Sequence, residues 1–166
     1  MGNTTYKELA DAVFLKIKDL ELGQLPDEIA YKIVIGYIRT ACVNFQSCSD
    51  QDLSDRDDTL EEFNFKLTDQ NFNILVNYMI ISWIDSQTLT TNMLKPRLST
   101  SDFKSLNLSQ QLSKIMELRT MLKSENDQLA INKSYKNSPL FDIVTNRKNN
   151  TNSISNIIRK RVWYES

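Results

Sequence analysis

Apolar side chains recur at spacings of three and four along the first 45 residues. Tyr6, Leu9, Ala10, Val13, Ile17 and Leu20 fall on one helical face. Ahead of them, Thr5-Tyr6-Lys7-Glu8 has the form of a capping box: Thr5 can accept from the amide three residues on while Glu8 reaches back. Gly23 stands where such a helix would stop. Pro26 suits the first turn of a second helix, with Asp27 and Glu28 favourable at its positive end. That second helix has the cleanest period in the chain, through Ile29, Ala30, Ile33, Val34, Tyr37, Ile38, Ala41, Cys42 and Phe45. Gly36 in its middle costs about 1 kcal/mol relative to alanine, and marks either a close backbone approach or a tolerated weak spot.

The run FNILVNYMIISWI at residues 72–84 is different, because ten of its thirteen residues are apolar. Wound as a helix it is greasy nearly all round, so more than one face must be covered. A bilayer span needs about 20 apolar residues, and Asp69 and Asp85 fence the run, which predicts a buried helix. Thr68 and Asp69 can cap it, and Pro96 ends it near Leu94. Just upstream, Phe63, Phe65 and Leu67 alternate with Asn64 and Lys66, as in a short strand or an extended lead-in, with no partner strand evident. Downstream, residues 99–102 cap a short helix carrying Phe103 and Leu106. A last long helix follows over residues 109–132, with Leu112, Ile115, Met116, Arg119, Leu122 and Leu129 marking its inner face. Residues 1–138 are therefore expected to form an all-α bundle of about four main helices, with Ile33, Tyr37, Met79, Trp83 and Phe103 among its buried packing residues.

Composition changes this picture at two places. Residues 47–62, SCSDQDLSDRDDTLEE, carry seven acids (Asp50, Asp52, Asp55, Asp57, Asp58, Glu61 and Glu62) against Arg56 alone, and read as a solvated loop or a functional acidic surface. Asp50, Asp52, Ser54 and Glu61 match positions of a calcium-loop template, but Asp55 occupies the place where its sharp turn requires glycine, so no metal is expected. After Ser138-Pro139 the chain becomes rich in asparagine. Leu140, Phe141, Ile143 and Val144, then Ile154, Ile157 and Ile158, then Val162, Trp163 and Tyr164 form three apolar clusters between polar spacers. Such a segment cannot bury enough to fold alone, and predicts an extended docking arm over residues 139–166. Residues 1–140 carry 15 basic and 19 acidic side chains, net −4, whereas residues 141–166 carry 5 and 2, net +3. The opposite signs would steer an arm toward an acidic neighbour.

The chain has no histidine and only three scattered glycines, so the commonest general base and any phosphate-cradling glycine loop are missing. No catalytic residue and no cofactor are expected. Cys42 lies on an apolar helix face, and both it and Cys48 read as reduced structural thiols. Charges interrupt every early apolar run, which argues against a signal peptide and predicts an intracellular protein. Arg159, Lys160 and Arg161 beside Trp163 and Tyr164 suit either a protein partner or nucleic acid.

The runs LSDRDDTLEEFNFKLTDQNFNILVNYMIISWIDSQ and LSTSDFKSLNLSQQLSKIMELRTMLKSENDQLAINKSY, about residues 53–135, resemble the head-to-tail connector (neck adaptor) proteins of long-tailed double-stranded-DNA phages of Gram-positive hosts. The similar elements are the Leu67-Thr68-Asp69 cap, the helix with Trp83, Ser101-Asp102-Phe103, Leu118-Arg119 and Ser134-Tyr135. Asn71 departs from the pattern, which has a glutamate there. The resemblance implies a small helical protein repeated as a ring, commonly of twelve copies, beneath the portal of a DNA-filled head. It places the protein in the virion neck, assembled in the host cytoplasm without a membrane. Portal protein, head-closure or tail proteins and the neighbouring copies are its implied partners, and genomic DNA passes through without sequence-specific binding. Phe141, Ile143, Ile157, Arg159, Arg161, Trp163 and Tyr164 are the expected docking residues of the arm, and the acidic residues 50–62 would face the channel or a neighbour. The rival readings are a head-closure or tail-terminator ring protein of the same particle, more often a small β-barrel, and a small helical nucleic-acid-binding regulator.

Overall fold

The computed structural model describes residues 2–17, 22–94 and 102–136, with backbone alone at 90–94, 102–109 and 111. The docking arm expected at residues 139–166 lies outside the described residues. The body is all-α. Its helices are α1 (Tyr6–Lys16), α2 (Asp27–Ile35), α3 (Ile38–Phe45), α4 (Asp69–Leu94) and α5 (Asp102–Lys136), with single 3-10 turns at Leu22–Gln24 and Gln46–Cys48.

The capping box at the start of α1 forms as the sequence predicts. The Glu8 amide donates to Thr5 Oγ1 at 3.2 Å, and the Thr5 amide donates to Glu8 Oε2 at 3.1 Å. The helix ends earlier than expected, because Ile17 leaves it in an extended conformation; Gly23 belongs to the separate 3-10 turn.

The second predicted helix is two. After α2, the Tyr37 amide reaches back only to Val34 O, and the ordinary ladder resumes at Ala41 N to Tyr37 O, 3.0 Å. A Cβ on Gly36 would stand 3.2 Å from Ile33 O, so the close approach that favours glycine is to its own preceding turn. The break redirects the chain: α2 packs on α1, and α3 packs on α4. It also moves Ile33 outward, where it is 37% exposed rather than buried.

α4 settles what covers the greasy run. It lies against α1, α3 and α5 together, burying Ile74, Leu75, Val76, Tyr78, Met79, Ile81 and Ile84. Each such side chain contributes about 1.5–3 kcal/mol on leaving water, and helices of the same chain cover these faces. Thr68 caps α4, accepting the Asn71 amide on Oγ1 at 3.3 Å and the Phe72 amide on its carbonyl at 2.8 Å. Trp83 is half-buried, and its Nε1 is enclosed with no hydrogen-bond partner among the described residues. Tyr37 is half-buried too, with its hydroxyl 2.9 Å from Ser86 Oγ.

The alternating segment after the acidic stretch finds partners on both sides. β1 (Arg56–Asp57) pairs antiparallel with β2 (Glu62–Phe63), Arg56 opposite Phe63. On the other edge the N-terminal residues run alongside: Thr4 N donates to Phe65 O, Phe63 N to Thr4 O and Tyr6 N to Glu61 O. Phe63 is thereby fully buried, edge-on to Tyr6 at 5.7 Å. The missing partner strand lies inside the acidic segment, where two polar residues leave no alternation to detect.

The expected short helix and last helix are one continuous α5 of 35 residues. Its inner face also differs from expectation. Leu112, Asn126, Ala130 and Lys133 are buried, whereas Ile115, Met116 and Leu129 are 37%, 52% and 48% exposed. The side chain of Phe103 lies outside the described set.

Candidate interaction surface and its polar anchors

The acidic segment is a folded structure in its own right, and its carboxylates do most of the folding. Asp52 Oδ1 accepts from the Ser54 amide at 3.0 Å and its hydroxyl at 2.6 Å. Asp57 Oδ1 accepts the Thr59 and Leu60 amides at 2.7 and 3.1 Å, closing the turn between β1 and β2. Glu61 completes that turn in the left-handed region at φ 54°, an uncommon conformation for a residue with a side chain. Asp55 accepts from Asn64 Nδ2 at 2.6 Å, and Glu62 from Asn3 Nδ2 at 3.0 Å.

Asp58 is the focus of one side of the segment. The Tyr6 hydroxyl donates to it at 2.6 Å, Arg56 Nε at 3.3 Å and Arg39 at 3.5 Å. The hydrogen bond from Tyr6 leads in holding the Asp58 carboxyl below its ordinary pKa, and burial of the phenol, with Asp58 beside it, pushes Tyr6 well up. Backbone and hydroxyl donors likewise lower Asp52 and Asp57. Leu60, at the tip of the turn, is 67% exposed among these carboxylates.

Asp50 anchors the other side to the helices. Lys133, only 5% exposed, reaches from α5 to both Asp50 and Asn71 Oδ1. Asn71, fully buried at the start of α4, donates from Nδ2 to Asp50 Oδ1 at 2.9 Å and to Gln51 Oε1 at 2.6 Å. Gln51 in turn accepts from the Thr68 amide and donates to Lys66 O, both at 3.0 Å. Every polar end in this chain of contacts has a partner, as burial of a lysine demands. Burial works to raise the Asp50 carboxyl, but the hydrogen bonds from Lys133 and Asn71 outweigh it and hold the group below its ordinary value.

Three further polar joints tie α5 to α4. Asn126, 1% exposed, donates to Ile74 O at 3.2 Å and accepts from Asn77 at 3.1 Å. Arg119 grips Asp85 with two parallel bonds of 2.7 and 2.9 Å, a geometry that fixes orientation as well as distance. Tyr78 and Lys123 both donate to Asp127 at 2.7 Å; their hydrogen bonds outweigh burial in lowering the Asp127 carboxyl.

The structure therefore splits the predicted site residues. Asp52, Asp55, Asp57, Asp58, Glu61 and Glu62 share one ribbon, but Asp50 turns away from it toward Lys133. The calcium-template residues do not converge, and among the described residues no three histidine, cysteine, aspartate or glutamate side chains are placed to hold a metal ion. Cys42 is buried with its thiol pKa raised by that burial, and both cysteines are free. Among the described residues no helix is long and apolar enough to cross a membrane. Phe141, Ile143, Ile157, Arg159, Arg161, Trp163 and Tyr164 lie outside the described residues. The anchors Asn71, Asn126 and Lys133 are absent from the predicted site; for Asn126 and Lys133 the signal was helical spacing in phase with the buried Ala130 between them. No family model, no curated protein and no solved structure matches this chain.

Proposed function

We propose that this chain is a head-to-tail connector (neck adaptor) subunit of a long-tailed double-stranded-DNA phage, a structural protein that binds and makes or breaks no bond. In this reading twelve copies form a ring between the portal and the tail, around the passage for DNA. The arm at residues 139–166 docks on the portal, the ribbon at residues 52–62 turns its carboxylates toward the channel or a neighbour, and the lower rim meets head-closure or tail proteins. Like charge on a channel wall keeps a polyanion from sticking, so DNA can pass without sequence-specific contacts. The protein acts in the virion neck after assembly in the host cytoplasm, with no cofactor.

The observation that carries this reading is where the residues of the sequence resemblance fall. Leu67 is buried and Thr68 caps α4, and Arg119 holds Asp85 across the α4–α5 seam, whereas Ser134 and Tyr135 are exposed and add nothing to it. A pattern shared at joints favours a shared architecture over chance similarity of exposed positions. The all-α body also differs from the small β-barrels more usual in head-closure and tail-terminator rings.

Cutting the chain after Ser138 tests the arm. The truncated protein should keep its helical circular dichroism spectrum and fail to co-sediment with portal particles, and normal assembly by that protein would remove the arm from the account. An image of the intact particle that located this chain away from the portal would overturn the connector reading altogether.

A further inference from the structure

The outer side of α5 carries four exposed residues at spacings of four, three and four: Lys114, Leu118, Met121 and Glu125. Such spacing keeps them on one stripe of the helix, as along a coiled-coil seam. Leu118 is 47% exposed and Met121 52%. Neither Lys114 nor Glu125 makes an ion pair with a described residue, and Glu125 has no cation three or four residues from it on its own helix. Read in either direction the stripe runs charge, apolar, apolar, charge, and its two charges are opposite in sign. An order of that kind is complementary to its own reverse.

We propose that this stripe pairs with the same stripe of a second copy, the two α5 helices running antiparallel about a two-fold axis between residues 119 and 120. Lys114 then faces Glu125 of the other copy, Leu118 faces Met121, and the same two contacts repeat beyond the axis. Ile115 and Leu122 on one flank widen the apolar centre, Ile115 being 37% exposed and Leu122 half-buried. A parallel pair would set Lys114 against Lys114 and Glu125 against Glu125, so charge selects the antiparallel order. The shallow groove of about 610 Å³ beside Met121 and Glu125 leaves room for Leu118 of the second copy. The stripe covers about 16 Å, three turns of helix, and engages far fewer than the roughly 20–30 residues a side of a standard stable interface. Pairing is therefore reversible, and a dilute chain stands alone with these side chains in water. The proposal concerns the free subunit and does not rest on the connector reading, because a two-fold axis joins like faces whereas a ring joins unlike ones.

Sedimentation equilibrium of the full chain tests this with charge reversals, which leave the apolar residues in place. The wild-type chain is expected to pass from one copy to two as concentration rises. Lys114→Glu alone and Glu125→Lys alone each set like charges together at both ends of the contact, and each should weaken pairing about tenfold or more. An equimolar mixture of those two variants should pair as well as wild type, since each glutamate of one chain then faces a lysine of the other. The chain carrying both reversals should do the same. Leu118→Ser should abolish pairing while urea unfolding of the dilute protein stays unchanged. An unchanged helical circular dichroism spectrum verifies the body in each variant. A single copy at every concentration, pairing indifferent to the single reversals, or a mixture no better than its parents would overturn the proposal.

Discussion

α4 and α5 lie side by side, and neither carries the single greasy stripe of an ordinary surface helix, for opposite reasons. α4 is apolar nearly all round because three helices surround it. α5 turns polar groups inward, Asn126 and Lys133 among them, and leaves Ile115, Met121 and Ile131 outward. Where burial is complete on all sides, apolar matter alone suffices. Where a helix closes one side of a small body, buried polar groups give the seam a register that non-directional apolar packing would leave loose.

The sharpest way to break this contrast is to empty the centre of α4. Met79→Ala, at a fully buried position, should cost about 2–5 kcal/mol in urea unfolding; a loss below 1 kcal/mol would mean α4 is less enclosed than described. Next comes the polar seam. Lys133→Ala strips a partner from both Asp50 and Asn71 and should cost about 1–3 kcal/mol. The double variant Lys133→Met with Asn71→Leu should recover part of that loss, since it removes both buried polar members and leaves the Asp50 carboxylate, 37% exposed at its side chain, to water. If the double variant is worse than additive, the seam contributes net stability and more than register.

Acid should act on the same seam. Asp50 and Asp127 have carboxyls lowered in the folded state. Their contribution is therefore complete above the unfolded carboxylate value of about 3.9 and is lost as pH falls through the lower folded values, where the unfolded chain binds more protons. Melting temperature should drop between about pH 5 and pH 2, and Asp50→Asn should flatten that drop, whereas a slope unchanged by Asp50→Asn would remove Asp50 from the account. Arg119→Ala should cost only about 1 kcal/mol or less, because its pair with Asp85 is partly open to solvent, at 34% and 45% side-chain exposure. Smallest of all, Ile115→Ser and Leu118→Ser on the outer flank should stay within about 0.5 kcal/mol in the isolated chain; a larger loss would show that flank to be covered.

Local rules made much of the body legible. The Thr5–Glu8 box, the Thr68 cap, the end of α4 near Leu94 and the demand of residues 72–84 for cover on several sides depend on neighbours within a few residues, and each was readable from the chain. The bend at Gly36 was only half legible: the glycine was visible, but whether it served an approach or a break depends on what the two halves must reach. The inner face of α5 was misplaced because apolar spacing was followed, and Leu112 aside, its buried positions are occupied by an alanine and by polar residues whose partners stand far away in the chain, Ile74 for Asn126 at 52 positions and Asp50 for Lys133 at 83.

By itself, then, the order of residues determined that this is a helical body with an acidic interruption. Periodicity, capping and composition act over one or two turns, and they suffice for that. Only the tertiary structure decided that the acidic stretch supplies its own strand partner, that six of its seven carboxylates brace turns and neighbours, and that a buried lysine fastens it to the far end of α5. A charged side chain can leave water only where distant donors and acceptors converge on it, and that convergence is a property of the packed chain.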